Sequence, residues 1–117
     1  FTVMGKSTLP FAWARPSWFV HFPRLAPYLR AGIVPFDMHE VMALVAPRPL
    51  FNYSARQDSI FPQIANIEEA AAQVRAVYNL LGAAEQFEFH VGDGPHDFPL
   101  PVREQAYTWL AKQLALR

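Results

Sequence analysis

The sequence predicts an α/β protein with side-by-side parallel strands, and three observations carry that prediction. From residue 50 onward the pattern reads strand, helix, strand, helix, an order that builds neighbouring parallel strands joined by a crossover helix. The chain has 117 residues, 52% of them hydrophobic, enough for one modest domain with a core. Its ten basic and ten acidic residues cancel, so it lacks the basic surplus that nucleic-acid binding normally requires. No uninterrupted apolar stretch approaches the roughly 20 residues of a membrane-spanning helix. The absence of cysteine excludes a disulfide framework and any thiolate metal site.

Residues 1–36 read as an irregular excursion. They hold five of the eleven prolines (Pro10, Pro16, Pro23, Pro27 and Pro35) and eight aromatic residues. Proline at that density forbids a long helix or a central strand, yet the segment is too apolar for disorder. A strand tail is expected at "FTVM", residues 1–4, and a short helix at 23–30 closed by Gly32. Trp13, Trp18, Phe19 and Phe22 are expected to pack this excursion, with the wall of a substrate pocket as their other reading.

Residues 37–117 form the ordered part. Asp37 followed by Glu40 is an N-terminal capping pattern, and the helix it opens is expected to run to Ala46, because Pro47 follows. "LFNYSA", residues 50–55, reads as a short buried strand. Ile67, Ala71, Val74, Tyr78 and Leu81 recur three or four apart, which predicts an amphipathic helix over 64–81 ended by Gly82. "QFEFHV", residues 86–91, alternates Phe87, Phe89 and Val91 with Glu88 and His90. It reads as a half-exposed edge strand whose His90 points to solvent. Val102, Ala106, Trp109, Leu110 and Leu114 mark a last helix, with Pro101 in its first turn.

Ligands of open parallel sheets gather at the carboxyl ends of the strands. Asp58 lies three residues past the first strand and His96 five past the second. Neighbouring strands would bring both loops to one edge, where the carboxylate could fix the imidazole tautomer and leave the other ring nitrogen free to take a proton. An aspartate in such a turn also bonds backbone amides routinely. Asp97 is the competing acid, but a sequence neighbour in an extended loop is better placed to bond backbone or cap the final helix.

The stretches "APRPLFNYSARQDSIFP", "YNLLGA" and "GDGPHDFPLPVREQAYTWL" resemble the C-terminal part of an α/β-hydrolase, nearest to the dienelactone hydrolase, acetyl xylan esterase and prolyl oligopeptidase-like group. The resemblance runs from about residue 36 to the end. It implies that Asp58 is the acid and His96 the base of a catalytic triad, in a serine hydrolase of small carboxylic esters that needs no cofactor. Peptide-bond cleavage is the runner-up chemistry. The pattern also asks for Gly-x-Ser-x-Gly, which is missing. "GKSTL" with Ser7 comes nearest, but Leu9 replaces the second glycine and Pro10 and Pro16 stand where a helix should follow. The nucleophile and oxyanion amides are therefore expected upstream of Phe1. "GKST" also resembles the end of a phosphate-binding loop, which needs an earlier glycine and a following helix. His39 and Glu40, with His21 or His90, match no metal-binding spacing, so no metal is expected.

The other function class is a degenerate hydrolase piece acting as a packing or interaction module. Residues 1–117 alone are expected to hydrolyse nothing. With the strand at 50–55 lacking an inner neighbour, they are also expected to associate, a homodimer included.

Overall fold

A computed structural model of the chain describes residue 24, residues 26–31 and residues 36–115. The expected strand at 1–4, Ser7, His21, Gly32 and the aromatics at 13, 18, 19 and 22 lie outside the described residues. Helix α1, Ala26–Arg30, falls where the short helix was expected.

Helix α2, Met38–Ala43, opens on the capping box read from the sequence. The Asp37 side chain accepts from the Met38 amide at 2.6 Å, and Glu40 Oε2 accepts from the Asp37 amide at 2.7 Å. The helix stops one turn before the expected Ala46. From Val45 the amides bond three residues back, Val45 to Met42 and Ala46 to Ala43, which is the tighter turn a chain takes as it approaches proline. Arg48 then folds back onto the freed carbonyls of Val45 and Leu44.

Strands β1, Leu50–Ala55, and β2, Phe87–Gly92, pair in parallel, from Leu50 opposite Phe87 to Ala55 opposite Gly92. The mixed α/β class with a parallel sheet is thus present. The second strand sits one residue later than expected. Gln86 belongs to a short 3₁₀ turn, Ala84–Gln86, and Gly92 carries the ladder one step further.

Helix α3, Ile64–Leu80, is the crossover, and it buries Ala71, Val74 and Tyr78 against one face of the sheet. Phe87 meets them from β2, its ring stacked at 5.3 Å on Tyr78. The Tyr78 hydroxyl donates to the Arg48 carbonyl at 2.7 Å and ties the helix to the entry of β1. Gly82 ends the helix at φ +66, with Ala83 bonded to Tyr78 and Gly82 to Asn79, the Schellman pattern. Leu81 is a correction to the expected apolar face: it lies in the cap, half-exposed.

Helix α4, Leu100–Ala115, covers the other face. Phe51 of β1 meets both Trp109, at 5.8 Å, and the imidazole of His90, at 5.2 Å. Two expectations are corrected here. His90 does not point to solvent: its Nε2 lies 2.8 Å from Glu88 Oε1 and 3.0 Å from Gln105 Nε2 of α4. The inward stripe of α4 is Val102, Ala106, Trp109 and Gln113, whereas Leu110 and Leu114 remain exposed. A helix turns about 100° per residue, so a stripe that seats Ala106, Trp109 and Gln113 carries positions 110 and 114 off to the side. There they line a shallow hollow with Val45, Arg48 and Pro49. Among the described residues no helix is long and apolar enough to cross a membrane.

Candidate active site

The two strands end together, and the ladder continues into the loops beyond them. The Arg56 amide donates to the Gly92 carbonyl at 2.9 Å and the Gln57 amide to the Gly94 carbonyl at 3.0 Å. The Gln57 side-chain oxygen accepts the Gly94 amide in return. Gly94 sits at φ +116, a conformation that L side chains rarely adopt. The aspartate loop and the histidine loop are therefore clamped to each other one residue before Asp58 and two before His96.

Within that frame Asp58 uses both carboxylate oxygens. Oδ1 accepts the amides of Ile60 at 2.7 Å and Phe61 at 2.9 Å, which is the ordinary aspartate turn. Oδ2 lies 2.7 Å from His96 Nδ1. Burial alone would raise the carboxyl pKa, since only 8% of the side chain is exposed. The hydrogen bonds from His96, Phe61 and Ile60 and the nearby imidazole outweigh that and hold it below the usual aspartate value. An ionised carboxylate only accepts, so Nδ1 carries the ring proton and neutral His96 keeps its lone pair on Nε2. Half of the His96 side chain, 51%, is exposed, and the Phe61 ring lies against the imidazole at 5.6 Å.

Asp97 does what a loop acid was expected to do: its Oδ1 accepts the Phe98 amide at 2.7 Å. Glu40 serves α2 as a cap. Among the described residues no three His, Cys, Asp or Glu side chains form a group that could hold a metal ion.

A cavity of about 570 Å³ opens beside the pair. Met38 and Met42 of α2 line it with Phe61 and Phe98, which flank Asp58 and His96 in their loops. Sequence reasoning missed Gln57 and Phe61. The place of Gln57 immediately before the acid was the available signal, but its partner is 37 residues away in sequence.

The arrangement places a half-exposed imidazole, held by a buried carboxylate, on the wall of a largely apolar cavity. No family model matches this chain, and no curated protein or solved structure matches it either.

Proposed function

We propose that this chain contributes the acid and the base of a serine hydrolase acting on carboxylic esters, as the C-terminal part of an α/β-hydrolase. The observation that supports the reading is the 2.7 Å contact between Asp58 and His96, made from the tips of two adjacent parallel strands. Acid before histidine is the chain order of that class.

The chemistry divides between the two residues and a serine supplied from outside the described residues. The serine oxygen attacks the ester carbonyl carbon while its proton passes to Nε2 of His96, and the carbonyl π pair moves onto oxygen. Asp58 Oδ2 holds the Nδ1 proton and stabilises the imidazolium that results. Collapse of the tetrahedral intermediate expels the alkoxide, which takes the proton from Nε2. Water, deprotonated by the same nitrogen, then cleaves the acyl-serine to release the carboxylic acid and restore the hydroxyl.

The test is ester hydrolysis by the natural protein that contains this chain. His96→Ala should lower kcat by about 10³-fold or more in protein that circular dichroism shows to be folded, with some loss of melting temperature because Asp58 loses its partner. A variant that turns over at the parent rate would refute the assignment.

A further inference from the structure

From the lining of the cavity beside His96 we infer that the ester group seated there is uncharged and apolar, and that a carboxylate-bearing ester is disfavoured. The inference rests on the hydrolase reading and names the substrate class of that same site. The cavity has the size of a small-molecule site. Its walls are predominantly apolar, with Met38, Met42, Tyr53, Phe61, Phe89 and Phe98 as the large contributors. Among the described residues neither lysine nor arginine lines it, while the carboxylates of Asp58 and Asp97 do. An incoming carboxylate would lose its hydration, meet no lysine or arginine and face two carboxylates of its own sign. An alkyl or aryl group would instead bury apolar surface, and unbranched methionines can refit around different shapes.

The experiment compares two matched pairs on the natural protein: methyl pentanoate with monomethyl glutarate for the acyl side, and butyl acetate with γ-acetoxybutyrate for the alcohol side. In each pair a terminal methyl is exchanged for a carboxylate. At least one pair should favour the neutral ester about tenfold or more in kcat/KM. Met38→Lys, at a partly exposed position outside the catalytic pair, should narrow that gap about threefold or more. Equal rates within both pairs, or a gap that Met38→Lys leaves unchanged, would overturn the inference.

Failure of the underlying reading looks different, because then none of the four esters is hydrolysed. The cavity is then judged by binding of two matched ketones, butyrophenone and β-benzoylpropionate, measured calorimetrically. Tighter binding of the neutral ketone upholds the apolar assignment, and equal or weaker binding overturns it.

Discussion

Asp58 concentrates several demands on one side chain. It is nearly buried, yet its carboxyl is held below the usual value by the hydrogen bonds it accepts. A carboxyl whose folded-state pKa is lowered contributes stability above the unfolded-state value, about 4, and loses it as pH falls through the lower folded value. Melting temperature should therefore drop as pH is lowered from about 5 to about 3, and drop less in Asp58→Asn, which has no carboxyl to protonate. A parallel decline in the two proteins would contradict this origin. Gly92 is constrained by proximity: a Cβ there would lie 2.6 Å from the Tyr53 hydroxyl oxygen. Tyr53 in turn packs on Phe98 in the histidine loop at 5.7 Å. Gly92→Ala should cost about 1–3 kcal/mol, read by chemical denaturation. Residue types and spacing made Asp58 and His96 legible, because parallel strands of equal length deliver their following loops to the same edge. His90 was misread, because alternation tells which face a residue takes but not what a distant helix lays over it.

Elements were legible where their signals are local. The Asp37–Glu40 box, the β1 run and the Gly82 stop each depend on a few consecutive residues, and each lies where expected. The inward stripe of α4 depends on how that helix meets Phe51 and His90, which its own periodicity does not encode. The tie between α3 and β1 is similarly long-range, and it rests on the buried Tyr78 hydroxyl. Tyr78→Phe should destabilise the fold by about 1–2 kcal/mol in denaturant titration, since the Arg48 carbonyl loses its donor. The loop clamp answers to Gln57. Gln57→Ala should lower kcat more than it raises KM, because it loosens the loop that carries His96 while Gln57 itself does not line the cavity. An increase in KM alone would place Gln57 in binding instead.

At the scale of the molecule, β1 and β2 are the two strands of the sheet among the described residues, with α3 on one face and α4 on the other. Beyond them the surface carries large apolar side chains, Leu80 at 84% and Leu114 at 67% exposure among them. Residues 1–117 alone should self-associate at high concentration, and size-exclusion chromatography showing a sharp monomer would contradict that. The sheet and its helices could be read from the order of elements. The cavity could not, because its walls come from α2, β1, α3, β2 and both loops at once. The central claim is that Asp58 and His96 act as one unit, and a double-mutant cycle in the natural protein tests it most directly. If they do, Asp58→Asn and His96→Ala each lower kcat by about 10²-fold or more, and the double variant is no slower than His96→Ala alone. Losses that multiply as independent factors, or that are absent, would contradict the account.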